Sequence, residues 1–166
     1  MYKRQIYILP VDGVGFEKYI SILKELKIFN VIKTDNDLRT VKGKNEYSVL
    51  GFTRCNKYIG EERLPITSIA ENSIDSKRRL YDDNIHILND IRSDYHIYLS
   101  KVDLENDLDE FLHDRLAYLL EDDEPVKYLQ DAKNYHMVEL IKKLTDEDCK
   151  KIYNHYNFAC LKEVAE

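Results

Sequence analysis

Glycine and proline are scarce in this chain, five and three residues among 166, and there are only three cysteines. So little glycine and proline excludes a collagenous or linker-like sequence. Cys55, Cys149 and Cys160 are odd in number, widely spaced and without a Cys-x-x-Cys pair. Neither a disulfide framework nor a zinc site is expected, and a reducing cytoplasm is the expected location. The apolar runs are only a few residues long, too short to span a membrane. The N-terminus leads into a short mixed segment with no small-residue cleavage site, so no secretory signal is read there. No G-x-x-x-x-G-K-[ST] phosphate loop and no serine at a nucleophile elbow occur.

What the chain does have is 43% apolar residues over a length that suits one domain. A chain of this size buries roughly 70% of its unfolded surface, enough for a true core. Its net charge of −6 is unevenly spread. Residues 101–125 hold ten acidic side chains against two basic ones, whereas residues 1–66 hold twelve basic against eight acidic. The acidity is local, and a modest basic surface elsewhere can meet phosphates.

Residues 5–11 read as a strand, aromatic and β-branched, ended by Asp12-Gly13. Phe16, Tyr19, Ile20, Leu23 and Leu26 recur at helical spacing. A second apolar run at 29–33 closes in Thr34-Asp35-Asn36-Asp37. Strand, helix, strand over this length is a βαβ unit with parallel strands. The spacing further predicts a polar, Lys-rich loop at 39–46, a helix over 47–59 stopped by Gly60, a helix over 73–91 and a third strand at 95–99. Beyond it, Leu108, Phe111, Leu112, Leu116 and Leu119 line one helical face, and the rest reads as helices, the last capped by Thr145. The fold class is therefore α/β with a helical C-terminal third.

Gly13-Val14-Gly15 after a strand suggests a dinucleotide-binding turn, but Lys18 stands where the third glycine belongs. A tight strand-to-helix turn explains it better. His86, His96, His113, His136 and His155 show no metal-ligand spacing. The carboxylates at strand ends carry more information, because ligands of parallel sheets gather at the carboxyl ends of strands. Asp35 and Asp37 lie at one such end, on the same side of an extended segment. Asp103 and Glu105 repeat the arrangement after the next strand, with Asp107 two further on. Paired carboxylates of this kind suit Mg²⁺ or Mn²⁺. Turn chemistry followed by an acidic helix start accounts for the same residues, and on spacing alone both readings stand.

Asp35-Asn36-Asp37, in the setting Ile32-Lys33-Thr34 and Leu38, resembles the Asp-x-Asp motif of the TOPRIM fold found in topoisomerases, primases and OLD-family nucleases. Blocks at 11–16, 50–55, 98–108, 125–130 and 158–163 resemble, in order, OLD nucleases and most closely the nuclease subunits of Gabija anti-phage systems. The resemblance implies a TOPRIM-like (Rossmannoid) parallel sheet with flanking helices, one domain over 1–166, comprising a core over 1–120 and a helical extension over 121–166. It implies Mg²⁺- or Mn²⁺-dependent cleavage of DNA phosphodiester bonds. Asp35 and Asp37 would bind one metal, Asp103 and Glu105 would complete the second site, and Lys133 would sit by the scissile phosphate. Asp35, Asp103 and Lys133 are thus the expected catalytic residues.

The family's first motif, a strand ending in Glu-Gly, is not found; Asp12-Gly13 resembles it superficially but falls on the family's second strand. The expectation is a chain that begins after that glutamate and lacks the ABC-type ATPase region. It would then be a fragment or split part that needs a partner carrying both, with a UvrD-like helicase subunit and a homo-oligomeric assembly as further implied partners. Two rival readings follow: a catalytically incomplete TOPRIM module that binds a full-length nuclease or helicase, and a primase- or topoisomerase-like protein. The C-terminal blocks disfavour the latter.

Overall fold

The computed structural model describes residues 6–7 and 16–165. The strand expected at 5–11, Asp12-Gly13 and the Gly13-Val14-Gly15 turn lie outside those residues, Ile6 and Tyr7 apart, and these two have no regular structure. The described part is a mixed α/β structure, mostly helical: α1 Phe16–Glu25, β1 Ile32–Thr34, β2 Leu38–Thr40, β3 Tyr47–Val49, α2 Leu50–Ile59, α3 Ile74–Asp83, α4 Ile85–Tyr95, β4 Ile97–Leu99, α5 Leu104–Leu120, α6 Pro125–Asp131, α7 Lys133–Lys143, α8 Asp146–Asn154 and α9 Ala159–Ala165.

Strands β1 and β4 pair in parallel, with Ile32 opposite Ile97, Lys33 opposite Tyr98 and Thr34 opposite Leu99. Their burial is nearly complete, as expected of a parallel pair covered on its faces. Two apolar cores surround this pair. One joins Ile20, Ile32, Val49, Phe52, Tyr81, Leu88, Ile91, Ile97 and Leu99, so α1 to α4 pack on the sheet. The other joins Leu108, Leu112, Leu116 and Leu119 of α5 to Leu129, Leu140 and Phe158 of the helical region that follows. Lys33 links the two: its ammonium donates to Asp107 Oδ2 at 2.7 Å, Ser100 Oγ at 3.0 Å and the Asn157 carbonyl at 3.1 Å.

Two expectations need correction. The segments 39–46 and 47–59 are not a loop and then a helix; Leu38–Thr40 and Tyr47–Val49 form an antiparallel hairpin before α2 begins. Alternating Tyr47 and Val49 suit a pleated strand, and Gly43 takes the left-handed φ of +79° at the turn. The helix over 73–91 is two helices, broken at Asn84. Its backbone N–H turns back to the Tyr81 carbonyl and its side chain donates to the Leu80 carbonyl, the local competition that makes asparagine a poor helix interior. The Thr145 cap is present, as a reciprocal box with Asp148.

The scarcity of glycine leaves its mark on helix ends. Left-handed positions that glycine ordinarily fills are held by Lys27, His96 and Glu121 at φ of 54°, 58° and 57°. No described helix is long and apolar enough to cross a membrane.

Candidate metal centre

The two parallel strands run out side by side, and this brings the acidic segments together. The Ser100 N–H donates to the Thr34 carbonyl and the Asn36 N–H donates to the Val102 carbonyl, each at 2.9 Å, prolonging the pairing into both loops. Asn36 is fully buried and its side-chain amide donates to the carbonyls of Lys77 and Lys101. With Asn36 turned inward, its neighbours Asp35 and Asp37 turn to the other side of the extended segment.

That segment is fastened from α2. The Gly51 N–H donates to the Asp37 carbonyl at 3.0 Å. A Cβ at Gly51 would stand 2.9 Å from Asn36 Cα and from the Asp35 carbonyl oxygen, so only glycine allows this approach. One turn on, Arg54 Nη2 donates to the Asp35 carbonyl at 3.0 Å and to Asp37 Oδ2 at 2.5 Å.

The second acidic segment opens α5. Asp103 is the N-cap: Oδ1 accepts from the Asn106 N–H and from Asn106 Nδ2, both at 2.8 Å, while Oδ2 accepts from Gln130 Nε2 at 2.9 Å. Glu105, in the first turn, is wholly buried. Lys133, at the start of α7, places Nζ 3.1 Å from Glu105 Oε1 and 3.9 Å from Asp35 Oδ2. Glu105 Oε2 has no hydrogen-bond partner, and among the described residues Lys133 is the one cation ion-paired with this carboxylate. Asp107 belongs elsewhere, paired with Lys33.

Burial pushes the Asp35 carboxyl above its ordinary range; Lys133 opposes the shift, and Asp37, Asp103 and Glu105 add to it. Burial alone would lower Lys133, but its bond to Glu105 and the charges of Glu105, Asp35 and Asp103 more than offset that, and the ammonium is held above its usual value. Asp35, Glu105 and Lys133, far apart in sequence, form one ion-pair network; Asp37 and Asp103 flank it, each engaged by its own partner.

Among the described residues no group of three or more His, Cys, Asp or Glu is placed, as it stands, to hold a metal ion. The donor chemistry nonetheless fits a hard divalent cation: every donor is a carboxylate oxygen, and a buried carboxylate with an unpartnered oxygen is undercompensated. Arg54, Gln130, Asn36 and Gly51 were not singled out as site residues from sequence. Gly51 and Arg54 lie in one of the blocks that carry the resemblance and Gln130 in another, but their contacts to the acidic segments are tertiary.

No protein-family model matches the chain. A curated relative, Endonuclease GajA of Bacillus cereus (strain VD045), is 38% identical over 169 residues, covering 95% of this chain and 29% of that protein. The chain is homologous to this Gabija nuclease and corresponds to its C-terminal part, less than a third of its length.

Proposed function

We infer that this chain is the TOPRIM-like nuclease domain of an OLD/Gabija-type anti-phage enzyme and takes part in metal-dependent hydrolysis of DNA phosphodiester bonds. The observation that carries the reading is the convergence of Asp35, Glu105 and Lys133 at the carboxyl ends of two parallel strands. In this reading the domain spans 1–166, a core over 1–120 and a helical extension over 121–166. Asp35, Asp37, Asp103 and Glu105 would hold Mg²⁺ or Mn²⁺. A bound divalent ion supplies an activated water and offsets charge on the leaving oxygen.

The chain's own residues do the rest. Arg54 and Gly51 hold the backbone of the Asp35–Asp37 segment in place, which fixes where its carboxylates start from. Lys133 stands half-exposed at the rim, where an ammonium favours negative charge on a phosphate. Asp35, Asp103 and Lys133 are the proposed catalytic residues. The remaining length of the relative leaves room for the ATPase region and Glu-Gly strand that such an enzyme draws on. A UvrD-like helicase and further copies of the nuclease are the proposed partners of the full assembly.

One observation favours the rival reading, a non-catalytic module that docks on a full-length nuclease: each of the four carboxylates already faces a cation or amide of the same chain. Plasmid cleavage with Mg²⁺ or Mn²⁺ separates the two. The 166 residues alone should cut near background, and a co-expressed chain carrying the ATPase and Glu-Gly segments should restore metal-dependent cutting that Asp35→Ala or Lys133→Ala lowers at least a hundredfold. Wild-type rates from both variants, or no cutting by the reconstituted pair, would contradict the nuclease reading.

A further inference from the structure

The β2–β3 hairpin continues directly from Asp37, and its charge is of one sign until its far strand. Arg39, Lys42 and Lys44 are exposed, whereas Glu46, partly buried, is the one carboxylate from residue 38 to 49. No ion pair or side-chain hydrogen bond engages Arg39, Lys42 or Lys44 among the described residues, whereas Arg54, Lys101 and Lys133 each pair with a carboxylate. The hairpin is not a loose loop. Leu38, Arg39 and Thr40 pair with Val49, Ser48 and Tyr47; Ser48 Oγ donates to the Arg39 carbonyl; and the turn is closed by Val41 N–H to Glu46 O and Lys44 N–H to Val41 O. Tyr47 is tied in turn to Ile69 by two backbone bonds of 2.8 and 2.9 Å.

A second basic run, Lys77-Arg78-Arg79, starts at the same place, since the Lys77 carbonyl accepts from Asn36 Nδ2. Two cationic segments are therefore built onto the loop that carries Asp35 and Asp37. Among the described residues no carboxylate pairs with Arg39, Lys42 or Lys44, so ion pairing does not explain three cations on a hydrogen-bonded strand pair.

We propose that the β2–β3 hairpin is a DNA-backbone clamp, in which Arg39, Lys42 and Lys44 contact phosphates flanking the bond presented to the acidic rim. The five residue-to-residue steps from Asp37 to Lys42 extend roughly 17 Å at strand rise. That matches about five phosphates along one strand at their axial spacing. Arginine and lysine on phosphates position the duplex without reading its sequence. The inference rests on the nuclease reading for the placement of the reacting bond, but the binding it asserts does not need the metal.

The test is fluorescence anisotropy of a short fluorescein-labelled DNA duplex, titrated in EDTA at several salt concentrations. The chain Arg39→Gln/Lys42→Gln/Lys44→Gln should bind at least tenfold more weakly than wild type. Its slope of log affinity against log salt should be shallower by roughly 2 to 3 units, one contact per side chain. A control with the same charge change on α6 and α8, Lys127→Gln/Lys150→Gln/Lys151→Gln, should bind close to wild type. Circular dichroism should show all three folded, since the substituted side chains are exposed. Equal affinity and slope for the hairpin variant would overturn the clamp, as would an equal loss in the control or a wild-type chain with no salt-dependent duplex binding. Duplex binding through the hairpin in a chain that binds no Mn²⁺ would instead sink the nuclease reading and leave the clamp standing.

Discussion

Asp35 holds two opposed demands in one side chain. Burial raises its carboxyl pKa above the ordinary value; Lys133 opposes the shift, and Asp37, Asp103 and Glu105 add to it. A folded-state pKa above the unfolded value means stability that is present below about pH 4 and lost as pH rises through the raised value. Asp35→Asn removes that penalty. It should melt higher than wild type at pH 7, by roughly 2 °C for a group a third exposed, with the gap closing below about pH 4. Scanning calorimetry across pH checks it; a variant that melts lower at pH 7 would show that Lys133 stabilises Asp35 more than burial and its acidic neighbours destabilise it. The residues that set this balance differ in how visible they are from sequence. The acidic pairs are legible because strand alternation and the Asp-x-Asp spacing place them before any contact is known. Arg54 and Gln130 are not, because a cation or amide on a later helix reaches a carboxylate only through tertiary packing.

At the scale of elements, the close seat of α2 on the Asp35–Asp37 segment decides whether the site exists. Gly51→Ala drives a Cβ to 2.9 Å from two backbone atoms, and the helix or the loop must shift by several tenths of an ångström. The expected result is a loss of about 1 to 3 kcal/mol in urea denaturation, with Mn²⁺ affinity weakened at least tenfold. Unchanged affinity with lost stability would place the strain in α2 alone. Long, periodic elements were legible: α5 with its leucines at helical spacing, and α8 with its Thr145 cap. The β2–β3 hairpin was hidden because each strand has only three residues, too short for alternation to outweigh the helical look of the segment that follows. The break at Asn84 was hidden for another reason: apolar periodicity continues across it, and only the asparagine's own hydrogen bonds interrupt the backbone.

At the scale of the whole molecule, the acidic rim sits where the two cores meet. Asp35 and Asp37 come from the sheet-and-helix unit, while Glu105 and Lys133 come from α5 and α7, whose apolar faces build the second core. The network of Asp35, Lys133 and Glu105 spans that junction, as does the Lys33–Asp107 pair. A divalent ion bound between the acidic segments would tie the same junction. Calorimetric titration of the 166-residue chain with Mn²⁺ measures this most directly. Binding by the wild-type chain that disappears in Asp35→Ala/Asp103→Ala is the result predicted; no binding by the wild type, or equal binding by the double variant, would contradict a metal centre at this rim.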